Sequence, residues 1–212
     1  MPDLQVILFE FVVLLLSLTV HEAAHAWSAD ILGDPTARRL GRVSLNPIVH
    51  IDPIGTLLFP LIAMVTRVPV LGWAKPVPVN PGNLHPHWAR KYMLVAAAGP
   101  ASNLVLAILG AIGMHAIGFA GGSMSTTSQI FVFLGKLVEI NVLLAVFNMI
   151  PVPPLDGGNV LSGLLRGQAA QLFNSLRPYG MVILYGLLLT GVLYRIVTPI
   201  EVAIFRGLGL IS

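Results

Sequence analysis

The sequence predicts an all-α polytopic membrane protein of about four to six membrane helices, with a re-entrant segment and a small β element at the cytoplasmic face. Three observations predict it. Hydrophobic residues make up 56% of the 212 residues and charged residues only 10%, whereas an average soluble domain carries about a quarter charged residues. Four apolar segments, at about 4–31, 91–118, 127–150 and 179–198, have the roughly 20 residues that a bilayer crossing needs. The few cations are grouped between the apolar segments and leave one connection, Gly118 to Gln129, without charge. The absence of cysteine excludes disulfides and thiolate ligands, so a bound metal must be held by imidazole nitrogen and carboxylate oxygen. A net charge of +3 with no basic patch excludes a nucleic-acid surface.

The first segment, 4–31, carries no cleavable small-residue site after a short apolar run, so it reads as a retained helix and not a signal peptide. Apolar and polar residues alternate in Gly41-Arg42-Val43-Ser44-Leu45-Asn46-Pro47, the period of a half-exposed strand. Prolines fall at every second position in Pro76-Val77-Pro78-Val79-Asn80-Pro81, which suits an edge strand. These two stretches are the expected β element. Between them Ile54 to Val65 is apolar but short, and is bracketed by Pro53 and Pro69.

Charge decides the sides. Arg38, Arg39 and Arg42 follow the first helix, and Lys75, Arg90 and Lys91 precede the next full span. Both flanks of Ile54 to Val65 are therefore cytoplasmic by the positive-inside rule, and the segment is expected to re-enter and not to cross. The N-terminus then lies outside, the second full span runs outward and the third runs inward, with Arg166 and Arg177 again on the basic side. The tail from Pro199 to Ser212 is apolar with Glu201 and Arg206, and reads as a last short helix at the interface or completing a crossing.

The chemistry begins at His21-Glu22-Ala23-Ala24-His25. Side chains four apart share a helical face, so both imidazoles can reach one metal ion with Glu22 beside it, the arrangement a zinc peptidase needs. Soluble zinc peptidases do not place this motif in a membrane span, where ionisable side chains are expensive and functional. A catalytic zinc needs a third protein ligand and an open position. Asp156 is the candidate, in Asn148-Met149-Ile150-Pro151-Val152-Pro153-Pro154-Leu155-Asp156-Gly157-Gly158. The prolines cannot continue the inward helix, and the glycines permit a sharp turn around the carboxylate. The alternative is a cytoplasmic turn whose Asp caps the helix beginning near Asn159. Topology favours the ligand, because the first and third spans run the same way and bring His21, His25 and Asp156 to one depth.

On these residues the chain resembles the site-2 protease family of intramembrane zinc metalloproteases, in a compact form. His21-Glu22-Ala23-Ala24-His25 matches the family's H-E-x-x-H, Leu155-Asp156-Gly157 its second motif, and Gly99-Pro100-Ala101-Ser102-Asn103 resembles its G-P-x-x-N element. The resemblance implies one Zn2+ per chain held by His21, His25 and Asp156, with Glu22 as catalytic base. It also implies cleavage of a transmembrane helix of another membrane protein, in a multi-pass protein of a prokaryotic cell membrane with its active site toward the cytoplasm. No inserted PDZ module or trailing nucleotide-sensing domain is expected, so residues 1–212 read as one domain with a catalytic core at about 4–165 and C-terminal helices at about 179–212.

For the substrate, the strand at Val43, Ser44 and Leu45 is expected to pair with an unwound segment by its edge, and Asn148 or Asn103 to donate to its backbone. The competing roles are an interhelical hydrogen bond for Asn148 and local support around Pro100 for Asn103. His50 reads as a group behind the ligands or a solvated loop histidine, His85 and His87 as interface anchors, and His115 as a packed group. Lys136 and Glu139, three apart, read as a structural pair or a proton relay. The other function considered is a metal-ion or proton transporter using the same His, Glu and Asp cluster.

Overall fold

A computed structural model of the chain describes residues 4–66, 72–119 and 129–211. The charge-free connection between the second and third spans lies largely outside the described residues. Helix α1 spans Leu4–Ile31, 28 residues that extend about 42 Å at 1.5 Å per residue. It ends where Gly33 takes φ +112°, a conformation that side chains rarely adopt, and the chain turns back with Asp34 N donating to Ala29 O. A single short turn, α2 (Thr36–Arg39), follows.

Asp52 then caps a wide turn over Pro53–Leu58, accepting from the amides of Ile54 and Gly55, and α3 (Phe59–Thr66) completes the short apolar element. Pro53–Thr66 extends only about 21 Å as a helix, against a hydrocarbon core of about 30 Å.

The expected β element is absent: no strand occurs among the described residues. The alternation in Gly41–Pro47 does not mark a buried apolar face, since Leu45 is exposed. Arg42 turns inward and is buried, with its guanidinium donating to the carbonyls of Lys75 and Pro76. Those carbonyls are thereby taken from any ladder, and Pro76 and Pro78 have no amide to give one. What remains is an extended strap at Trp73–Val79, tied through Trp73 N to Gly55 O and through Lys75 N to His50 O.

Helix α4 (Trp88–Phe119) is the central post and packs against α1, α5 (Gln129–Asn148) and α6 (Asp156–Leu164). Small residues let its neighbours approach. A Cβ on Gly110 would sit 2.9 Å from Val138 Cγ2, so a side chain at this crossing would have to push Val138 aside. The core layer joins Ala107 and Ala111 of α4 to Val138, Val142 and Val146 of α5. Helix α7 (Gly167–Ser175), α8 (Gly180–Leu189) and α9 (Val192–Gly207) complete the chain, with Leu184, Leu193 and Val197 closing the same core.

Among the described residues four runs are long and apolar enough to cross a bilayer: Leu4–Ile31, Trp88–Gly118, Gln129–Asn148 and Gly167–Leu189. The expected fourth span at 179–198 is not one helix. It breaks at Thr190–Gly191, where Gly191 takes φ +72°, and α9 departs as a separate helix against α5.

Candidate metal centre

His21 and His25 lie one turn apart on the buried face of α1, and Asp156 begins α6 directly after the proline-broken segment that ends α5. Two glycines fix that approach. A Cβ on Gly157 would lie 2.5 Å from Ile150 O, and one on Gly158 would lie 2.8 Å from Pro153 N, so the turn closes only without side chains. Gly99 of α4 does the same beneath the imidazoles, since its Cβ would fall 2.6 Å from His21 Nε2 and strike the His25 ring.

The result is a tight triangle of donor atoms. His21 Nε2 and His25 Nε2 are 3.0 Å apart, and Asp156 Oδ2 lies 3.1 and 3.3 Å from them. A tetrahedral ion with bonds near 2.05 Å has ligand atoms about 3.3 Å apart, so the triangle has the size of three corners of such a site. Protonation points the same way. His25 Nδ1 donates to Val95 O at 2.7 Å, and a carbonyl can only accept. His21 Nδ1 donates to Asn103 Oδ1 at 2.6 Å, and the Asn103 amide donates in turn to Asn141 Oδ1 at 2.8 Å.

In the neutral form of each ring Nε2 is then the ligand atom, and among the described residues the buried Asp156 Oδ2 between them has no hydrogen-bond partner. Donor atoms this close need a proton or a metal ion between them. A donor set of two imidazoles and one carboxylate, with the far ring nitrogens held by acceptors, suits zinc.

Glu22 lines the same cavity, of about 410 Å³, with Trp73, Val77, Tyr92, Asn148 and Asn159 among the other walls. Glu22 and both histidines are buried. Of the residues expected to meet substrate, Asn148 lines the cavity and donates to Leu144 O. Asn103 does not line it: it is fully buried and stands behind His21. Val43, Ser44 and Leu45 are also outside the cavity wall, which is formed instead by the strap at residues 72–79.

His50 is buried rather than solvated, donating through Nε2 to Ser44 O at 2.8 Å with Arg42 Nη2 3.4 Å from its Nδ1. Burial pushes its pKa down, the Arg42 charge adds to that, and the bond to Ser44 opposes it. Burial also lowers Arg42. His115 is a packed group whose Nε2 meets Leu208 O, and His85 and His87 are exposed. Lys136 and Glu139 pair at 2.8 Å, and Glu10 joins them at 3.0 Å from the ammonium.

Three contributors escaped the sequence reading: Ser17, Asn141 and Arg42. Asn141 Nδ2 donates to Ser17 Oγ at 2.8 Å, so a buried polar thread runs Ser17–Asn141–Asn103–His21 across α5, α4 and α1. A lone Asn in an apolar span is itself a signal of function or packing, and that signal was present at position 141.

A family model described as Peptidase family M50 matches residues 110–191. A Bacillus subtilis (strain 168) protein named "Putative zinc metalloprotease YwhC" is 37% identical over 183 residues, 84% of this chain and 79% of that protein. In Mycolicibacterium smegmatis (strain ATCC 700084 / mc(2)155), "Putative zinc metalloprotease Rip2" is 31% identical over 191 residues, covering 85% of this chain and 66% of that protein. No solved structure matches the chain.

Proposed function

The chain belongs to peptidase family M50, the site-2 proteases, and from that premise we propose that it is an intramembrane zinc endopeptidase that cleaves in or near a transmembrane helix of another membrane protein. One observation carries the reading. Two imidazole Nε2 atoms and a buried carboxylate oxygen converge within about 3.3 Å, with Glu22 in the same cavity. That is a peptidase ligand set and its base, set into helices with the apolarity of membrane spans.

In this reading His21, His25 and Asp156 hold one zinc ion. When bound there, zinc polarises a peptide carbonyl and makes water acidic near neutral pH. Glu22 takes the proton from the attacking water and returns it to the leaving amine. Asn103 and the Val95 carbonyl hold the imidazoles in the tautomer that keeps both Nε2 atoms free. The strap at Trp73–Val79 holds the unwound substrate segment, because its inner edge is already bonded to residues 42, 50 and 55 and its other side lines the cavity. Asn148, on the opposite wall, is placed to meet the same segment. The basic loops at Arg38–Arg42 and Arg90–Lys91 set this centre toward the cytoplasmic side of a prokaryotic cell membrane.

The test is turnover by the purified chain in liposomes, on a transmembrane substrate carrying helix-weakening residues. Cleavage is expected, chelation is expected to stop it, and zinc to restore it. Glu22→Gln is expected to abolish turnover with zinc still bound, and unchanged cleavage by that variant overturns the mechanism. Asp156→Ala is expected to lose zinc in metal analysis; undiminished zinc removes Asp156 from the ligand set.

A further inference from the structure

The metal cavity adjoins a larger groove, and Leu18, Gly72, Leu144 and Phe147 line both. The groove has a volume of about 1120 Å³ and lies along α1, α5 and α9. A helix about 10 Å across fills roughly 120 Å³ per residue at 1.5 Å rise, so this volume takes about nine residues of helix. Its walls are mostly apolar, with Leu14, Leu143 and Val197 among them, and so are matched to a hydrophobic helix.

The exception is a cluster drawn from three helices. Glu10 of α1, Lys136 and Glu139 of α5, and Glu201 of α9 all border the groove. Lys136 is held between Glu10 and Glu139, at 3.0 and 2.8 Å. Glu201 meets no hydrogen-bond donor or cation among the described residues, and Glu139 is a like charge near it. Glu201 thus borders an apolar groove beside a second carboxylate, without a counter-charge of its own among the described residues. A cation brought by the occupant of the groove supplies what Glu201 lacks.

We propose that this groove docks the transmembrane helix of the substrate, and that Glu201 with Glu139 receives a lysine or arginine carried by that helix on the outer side of the cleaved bond. The inference rests on the endopeptidase reading above and adds to it a requirement on substrate sequence. Its spacing follows from α1. Glu10 precedes His21 by eleven residues, about 16 Å along the helix axis. With the substrate helical throughout, or extended at about 3.3 Å per residue next to the cleaved bond, the cation falls roughly 7 to 11 residues outward of it.

The experiment separates docking from cleavage. The full chain carrying Glu22→Gln, with a photoreactive residue in place of Leu143, is reconstituted with three model helices. These bear lysine, leucine or glutamate at the ninth position outward of the cleavable bond. The lysine helix is expected to crosslink with about tenfold higher apparent affinity than the leucine helix, the scale of a partly desolvated ion pair. Glu201→Lys is expected to reverse the order so that the glutamate helix is captured best, and Glu201→Gln to bring the lysine-to-leucine ratio toward one. With Glu22 intact, kcat/KM is expected to follow the same order. Equal capture of the lysine and leucine helices, or an order unmoved by both Glu201 variants, overturns the proposal and leaves a groove filled by lipid or by any apolar helix. Lysine-dependent capture with no cleavage by the unmodified chain overturns the endopeptidase reading instead.

Discussion

In the proposed zinc centre, much is decided at His21 by the ring nitrogen that would not touch the metal. Its Nδ1 is committed to Asn103, so its Nε2 is free to act as a ligand. Asn103 can only present its oxygen because its amide is spent on Asn141, which is itself anchored on Ser17. Replacing Asn103 by Leu removes the acceptor and leaves the Asn141 oxygen without its donor inside the bundle. We expect Asn103→Leu to weaken zinc binding about 10- to 100-fold, as loss of such an outer partner does, read by competition with a chelating dye. Asn141→Leu is expected to act in the same direction and less strongly, since Asn103 keeps its hold on His21. Zinc affinity unchanged in both variants would show that the tautomer is set without the thread.

At the scale of elements, the strap at Trp73–Val79 depends on two buried bases. Arg42 holds the carbonyls of Lys75 and Pro76, and the His50 carbonyl receives Lys75 N. The folded His50 has its pKa below the ordinary imidazole value of about 6.5, because burial disfavours its charged form and Arg42 repels it. Above that ordinary value the ring is neutral whether the strap is closed or open, and its contribution to the closed form is complete. As pH falls below about 6.5 the open form takes up the proton first, and the closed form loses ground until the lower folded value is passed. Hydrogen-exchange protection factors of the Trp73 and Lys75 amides are therefore expected to fall between pH 7.5 and 5.5, and to stay level in His50→Asn. Equal protection at both pH values in the unmodified protein would remove His50 from control of the strap.

The elements also show what a sequence reveals and what it hides. The helix of α1 and the turn at Asp156 were legible because periodicity and proline act locally, on residues next to one another in the chain. The small sheet was misread for a reason visible at Arg42. Alternation alone does not say which side chains face inward: here the polar Arg42 is buried, bonded to two carbonyls, and the apolar Leu45 is exposed. The break at Thr190–Gly191 was hidden because a glycine within an apolar run is compatible with a continuous helix, and only its φ of +72° separates the two cases. Asn103 and Asn141 are 38 positions apart and Asn141 and Ser17 are 124 apart, so no local pattern could pair them.

For the whole molecule, the centre requires α1 and α5 to bring their metal-site ends to one level. This is compatible with a Pro53–Thr66 element that enters and leaves on the same side, and its length of about 21 Å agrees. The chain has no cysteine, so single cysteines report cleanly on sidedness. Arg39→Cys and His87→Cys, which flank the element, are expected to react with a membrane-impermeant maleimide from the same face in sealed vesicles, and a residue introduced at Leu4 from the other. Labelling of positions 39 and 87 from opposite faces would mean that the element crosses, and would require another account of how Asp156 reaches the histidines.

The thread from Ser17 to His21 has a consequence for how such a protein can change over generations. Each amide in it is both donor and acceptor, and both are fully buried. A single exchange therefore leaves a stranded polar group in the next helix, whereas a concerted exchange that keeps an acceptor for His21 at position 103 need not. The three positions, scattered over three helices, are bound to drift together or to stay as they are, and a lineage that altered one alone would carry the cost in its metal before it showed in its fold.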